Sequence, residues 1–551
     1  MIARMTLVMF IALGMAAQTP APSRAPTGYP IAGIVVSSVT GKPLPGVAVS
    51  ITATENRQVS QTVESRADGR FAFAGLPAAK YSLTASARGY RAQGFNQHGN
   101  FFTGIAVGPD LDGGNLLFRL VPDGAIEGIV SDDDGEPVRN ANVQLFQRNN
   151  DTGQQRTQSI SNAVTDDRGH YQIGHLASGT YFVGVSARPW YANYNVQSDP
   201  PPNPDNAARQ AEEKAQLDVA YPLTFYPAAE DSAGATPIVL HPGDRVTADV
   251  AMHAVPAVHV HIKTGEVDAT NTGLGGPHGF PRVSQRIFEG TLVPVNSAQG
   301  FGYSAGVYEY TGIAPGHYVF EMLEPERKRN GVGWYKELDL AGTVDLDSRE
   351  NPPLVSVTGA VVLEGGTRPG GKMYLTLADR TSREGFSAEV TDRGFFDFKD
   401  NEIRPGTYEV ELANAPGFQI KTLVAKGAKT AGRTIEIGSG SSVQLVCTAT
   451  RAMAQITGVV LRDDKSFAGA MVVLVPQNPS ADWLLFRRDQ SDSDGTFTLP
   501  AVLPGHYSAI AIENGWDLDW ASPAVLQPYL KNGTPVEVTG EGEISIKVQL
   551  Q

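Results

Sequence analysis

The chain reads as an all-β protein, a tandem array of five antiparallel Greek-key β-sandwiches, and three observations carry that reading. First, a Gly-led alternating strand, a turn and a Tyr recur five times: Gly69 to Tyr81, Gly169 to Tyr181, Gly306 to Tyr318, Gly394 to Tyr408 and Gly495 to Tyr507. The Gly-to-Tyr distance is 12 residues in four copies and 14 in the fourth. Second, the Tyr residues lie 90 to 137 residues apart, the length of one small domain rather than of a solenoid turn. Third, Gly 59 and Pro 37 are abundant and long helical periodicity is nearly absent, the composition of a chain with many turns.

Within each repeat the elements follow from local chemistry. Residues at +2 and +4 from the Gly are large and apolar (Phe71 and Phe73, Tyr171 and Ile173, Phe497 and Leu499), the period-two pattern of a half-buried strand. The turn then carries Pro315-Gly316, Pro405-Gly406 or Pro504-Gly505, with Ser178-Gly179 in the second copy and Ala78-Ala79 in the first. Alternation resumes through Tyr181, Val183 and Val185, so each segment is a β-hairpin. Upstream, Gly33-Ile34-Val35, Gly128-Ile129-Val130, Gly359-Ala360-Val361 and Gly458-Val459-Val460 read as a first strand. The third copy lacks that opening and offers Val258-His259-Val260-His261-Ile262 instead.

The order of first strand, Gly-Xaa-Pro loop (Gly41-Lys42-Pro43, Gly135-Glu136-Pro137), Gly-led hairpin and Pro-Gly-Xaa-Tyr turn resembles the carboxypeptidase regulatory-like domain. That resemblance implies a transthyretin-like, starch-binding-domain-like sandwich, often found in tandem in secreted bacterial proteins. In metallocarboxypeptidases such a domain stands beside the catalytic unit and performs no chemistry, and no His-Glu-Xaa-Xaa-His zinc-protease signature occurs here. The expected boundaries are 29–121, 122–256, 257–353, 354–452 and 453–551. Residues 1–17 read as a signal peptide, with Arg4 before the apolar stretch Met5 to Met15, and 18–28 as a disordered lead-in. The second sandwich carries a Pro-rich and helical insertion at 196–220, its helix at 205–217.

Export is therefore expected, to periplasm, outer surface or medium, with no transmembrane segment in the mature chain. A net charge of −14 argues against nucleic acid as a partner, because the phosphate backbone would be repelled. The single Cys447 permits no internal disulfide and reads as a buried strand residue.

Candidate sites are few, and no catalytic residue, metal or cofactor is assigned. Gly302-Tyr303-Ser304-Ala305-Gly306 matches a nucleophile elbow, but the motif needs a strand-to-helix turn and Gly306 instead starts a hairpin; a hydrolase using Ser304 is the remote alternative. His259 and His261 share one strand face, a geometry that suits zinc, with His253, Glu266 or His278 as the third ligand. Acidic turns at Asp110–Asp112, Asp132–Asp134, Asp166-Asp167 and Asp492–Asp494 offer oxygens to calcium, yet Asp is also an ordinary turn residue. Aromatics after the hairpins are the leading surface candidates: Trp190, Tyr191 and Tyr194, Trp334, and Trp516 with Trp520. Exposed rings there stack on sugars, so the expected function is carbohydrate binding through aromatic loops, with a protein ligand, or a structural and accessory role, as the alternative.

Overall fold

A computed structural model describes residues 28–55, 57–151, 153, 155–193, 215–264, 281–295, 301–304, 306–323, 332–350, 355–365, 367–379, 385–399 and 403–551. The expected signal peptide, nearly all of the lead-in, residues 205–214 of the expected helix and Tyr194 lie outside those residues. The molecule is 58% strand and 4% helix, which settles the all-β class. Five successive stretches each supply two facing sheets. In the second, one sheet holds Gly124–Ser131, His170–Leu176 and Arg245–Thr247, and the other holds Asn142–Asn149, Arg156–Val164 and Gly179–Ser186.

Among the described residues the named strands pair antiparallel except at one recurrent place, where the opening and closing strands of each sandwich run parallel. Tyr29–Ser37 pairs with Leu116–Leu120, Ser356–Glu364 with Ser442–Thr450, and Ala454–Arg462 with Gly542–Gln549. No local pattern in the sequence announces this contact, because these partners lie some 80 residues apart and no turn links them. The Gly of the opening strand sits at this contact. A Cβ on Gly33 would stand 2.2 Å from the Leu116 carbonyl oxygen, and on Gly359 2.0 Å from that of Leu445. In the third copy the strand Val258–Lys263 has Ile262 at this position, opposite Tyr308.

The recurring hairpin has one internal design. Gly69, Gly169, Gly306, Gly394 and Gly495 adopt φ of +71 to +85°, a region in which other residues are strained. After the turn, each Tyr ring enters its core, and its hydroxyl donates to the backbone carbonyl four residues earlier. Tyr81 reaches Pro77 at 3.0 Å, Tyr181 Ala177 at 2.7 Å, Tyr318 Ala314 at 2.9 Å, Tyr408 Arg404 at 2.9 Å and Tyr507 Leu503 at 2.8 Å. All five rings are buried, as the alternating pattern requires. Cys447 is fully buried in the fourth core, and burial pushes its thiol up to about 12.

Helix is scarce but not confined to the expected insertion. Ala215–Leu217 is helical there, and Pro523–Leu530 forms a further α-helix in the fifth sandwich. Of its two prolines, Pro523 occupies the first turn, where its missing N–H has no acceptor to lose.

The first sandwich also docks on the fifth. Lys80 Nζ donates to Asp492 Oδ2 at 2.6 Å and to Thr496 Oγ1 at 2.5 Å. The Gly104 amide donates to Asp492 Oδ1 at 2.8 Å, and the Ala106 amide to Ser493 Oγ at 2.9 Å. Gln490, only 2% exposed, gives Nε2 to the Asn96 carbonyl and to Thr103 Oγ1. Beside this interface Asp489 is desolvated, with the Asp492 carboxylate nearby, and its carboxyl is pushed up to about 6 although the Thr498 amide donates to it.

Two outcomes are expected. Tyr507→Ala should cost the fifth sandwich about 3–5 kcal/mol and Tyr507→Phe about 1, read by hydrogen exchange of the 496–502 amides in the full chain. For Asp489 the raised value means a contribution to stability that is complete below the ordinary carboxylate range and is lost as pH rises through about 6. Asp489→Asn should therefore raise the melting temperature at pH 7 and flatten its pH dependence between roughly 4 and 6, a gain of about 2–3 kcal/mol at most.

Candidate functional site

The aromatic candidates separate into three environments. Trp334 lies within the strand Val332–Leu340, 4% exposed in the third core, so it is a packing residue and not a surface ring. The sequence placed it in a loop because 324–330, the polar stretch before it, hid the register by which it pairs with Met322.

Trp516 and Trp520 fill a junction instead of standing open. The Trp516 ring stacks on His98 of the first sandwich at 4.7 Å and 5° and meets Phe101 at 5.8 Å. Trp520 Nε1 donates to the Asn150 carbonyl of the second sandwich at 2.9 Å. Asn150 Nδ2 in turn donates to the Trp516 and Leu518 carbonyls at 3.1 and 2.5 Å. The Arg488 guanidinium lies 5.5 Å from the Trp516 ring and 4.5 Å from the Trp520 ring, and burial pushes it down to about 10. Both indoles are half-buried, with side chains of neighbouring sandwiches packed against them.

Trp190 is different. It is 79% exposed, with Tyr191 set edge-on at 5.7 Å. It borders a cleft of about 430 Å³ between the second and third sandwiches. Asn140, Asn142, Ser186, Arg139 and Arg188 line one wall from the second sandwich, and Gln285 and Pro294 line the other from the third. Tyr221 and Tyr318 close its floor, both buried. Arg188 is held in part by the Ala192 carbonyl, to which it donates at 3.0 Å. The cleft thus presents one broad ring, several amides and two guanidinium groups, on a chain whose overall charge is negative.

The remaining sequence candidates resolve by geometry. Ser304 ends the strand Phe301–Ser304, which pairs directly with Val307–Ile313, so its setting is strand–turn–strand and not a nucleophile elbow. The acidic turns cap themselves: Asp132 Oδ1 accepts from the Asp134 and Glu136 amides, and Asp166 Oδ1 from Arg168 and His170. Asp492 belongs to the interface with the first sandwich. His259 and His261 do share the outward face of their strand, but the third group beside them is Glu309 on the neighbouring strand. His253 turns to Asp133, while Glu266 and His278 lie outside the described residues.

No curated protein matches the chain. Among solved structures, the minor pilin of Streptococcus agalactiae is similar at 12% identity, covering 42% of this chain and 97% of that one, with a TM-score of 0.22. The shaft pilin of Lactobacillus rhamnosus GG matches at 12% identity over 42% and 98%, TM-score 0.19. The Bacillus anthracis TIE protein matches at 10% over 97% and 75%, TM-score 0.17. Scores this low carry no argument. The family model of the carboxypeptidase regulatory-like domain matches residues 30–104 and 125–201, the opening strand, Gly-Xaa-Pro loop and Tyr hairpin of the first two sandwiches. Residues 30–104 and 125–201 are thus each similar to a carboxypeptidase regulatory-like domain, within a tandem β-sandwich chain.

Proposed function

We propose that this protein acts by binding and not by catalysis, and that it holds carbohydrate in the cleft beside Trp190. The carrying observation is that indole, 79% exposed at the mouth of a cleft lined by amides and hydroxyl-bearing side chains. Apolar sugar faces stack on such a ring, while Asn140, Asn142 and Gln285 offer both donors and acceptors to ring hydroxyls. Two guanidinium groups extend the range to glycans bearing carboxylates, which Arg recognises in bidentate fashion. The Ser304 setting, strand–turn–strand, supports a protein without hydrolytic chemistry at that position. An exported location, read from residues 1–17, is where such a ligand would be met.

A structural or accessory role is the second reading, and the docking of the first sandwich on the fifth favours it. That contact and the Trp516–Trp520 junction tie the first, second and fifth sandwiches together, so the array holds a fixed form instead of a flexible string. Fixed form suits a protein that positions partners.

A glycan array followed by isothermal titration separates the two. Trp190→Ala should weaken the best ligand at least tenfold and leave the melting temperature within a degree or two, since an exposed ring contributes little to folding. If no glycan binds, or binding survives Trp190→Ala unchanged, the accessory reading stands and the cleft assignment falls.

A further inference from the structure

We infer that the third sandwich carries a transition-metal site, with zinc the natural occupant, formed by His259, His261 and Glu309. The three groups each offer one ligand atom, and those atoms lie within 4.8 Å of one another. His259 and His261 are two apart on Val258–Lys263, whose burial alternates, so Val258, Val260 and Ile262 face the core and both imidazoles face outward. Antiparallel register places Glu309 directly opposite His261. The Glu309 carboxylate stands 3.7 Å from His259 Nδ1 and 3.6 Å from His261 Nε2. These distances are too long for hydrogen bonds. They approach the edge of a tetrahedron of ligands around zinc, which for metal–nitrogen bonds near 2.0–2.1 Å is ~3.3 Å.

The second observation is the fate of the other ring nitrogens. His259 Nε2 is 2.8 Å from Asp218 Oδ2, and His261 Nδ1 is 2.9 Å from Asp345 Oδ1. Each imidazole therefore meets a carboxylate on one side and the Glu309 locus on the other. In metal sites a carboxylate accepting the remote N–H fixes the tautomer, so the opposite nitrogen presents its lone pair to the ion. Two imidazoles and one carboxylate suit zinc, and three ligands leave a fourth position for water. All three ligand side chains are about one-third exposed, so an ion reaches them without unfolding the sandwich. Asp218 comes from the segment that precedes the third sandwich, where Val219–Ala220 pairs with Val255–Pro256. A bound ion would thus fasten the junction between the second and third sandwiches as well as the strand pair. The positions equivalent to His261 and Glu309 in the other four copies are Ala32–Ala72, Glu127–Gln172, Thr358–Asp397 and Thr457–Thr498, none with an imidazole, so the site is particular to the third.

The test uses the full chain stripped with a chelator, titrated with Co²⁺ followed by visible absorption and then with Zn²⁺ by calorimetry. Expected are the intense bands of four-coordinate cobalt, displacement by zinc, one equivalent bound, and a higher melting temperature with zinc. Glu309→Gln and His261→Ala should each weaken binding at least tenfold, and Asp345→Asn by about 10–100-fold through its imidazole. His317→Ala is the control, since that imidazole also lies between carboxylates, Glu337 and Asp339, but is no ligand here. Far-ultraviolet dichroism establishes that each variant is folded, and Glu309→Gln, nearly isosteric, keeps the test decisive if His261→Ala unfolds. Absence of cobalt bands in the wild-type chain, or zinc binding that survives Glu309→Gln and falls with His317→Ala, would overturn the assignment.

Discussion

Everything in this architecture hangs on a hydroxyl that donates four residues back along its own chain. The turn between the two hairpin strands leaves a carbonyl pointing into a core, where an unpaired oxygen costs about 1–3 kcal/mol. The Tyr that opens the next strand meets that carbonyl and fills the space around it with an aromatic ring. Because both partners come from five consecutive residues, the device works with little help from the rest of the sheet. It is therefore present in the third copy, where Ile262 stands in place of the opening Gly, and in the fourth, whose hairpin is two residues longer. The positive-φ Gly at the far end of the hairpin sets where the alternation begins, so the register of each sandwich is specified from two ends.

Local devices of this kind are what a sequence shows openly. The hairpins, the opening strands and the buried Tyr residues are all legible because each depends on residues within a short window. The parallel contact between opening and closing strands is not, although Gly33 and Gly359 mark it, since the carbonyls they accommodate belong to distant Leu116 and Leu445. The partners of Trp516 and Trp520 were hidden for the same reason. A tryptophan in a polar loop looks like an exposed platform until His98, Phe101 and Asn150, several hundred residues earlier, are found against it. Glu309 was findable in principle. It stands three residues after the hairpin Gly, and in other copies that position faces the residue before the opening-strand Gly, as Gln172 faces Glu127.

Docking of the first sandwich on the fifth illustrates how little a tethered contact must supply. The intervening chain keeps the two surfaces at high effective concentration, so an interface too weak for separate proteins closes within one chain. Its composition agrees. Gln490 and Asp492 make polar, individually modest contacts, and Trp516 adds an aromatic one, stacked on His98 and tilted against Phe101. Such a surface is stable when held together yet remains polar enough to tolerate exposure when apart.

Cys447 gives the molecule a built-in clock. Thiolate, not thiol, reacts with oxidants and alkylating agents, and a group pushed up to about 12 and fully buried offers almost none at neutral pH. In an oxidising compartment the lone sulfur therefore forms no bridge between copies while the fourth sandwich is folded. Its register partners are Val361 on the parallel neighbour and Leu423 on the antiparallel one, so it becomes reactive only when that central sheet opens. Where the reagent outpaces reclosing, the rate of capture is the opening rate of one sandwich among five; where it does not, capture reads that sandwich's opening equilibrium.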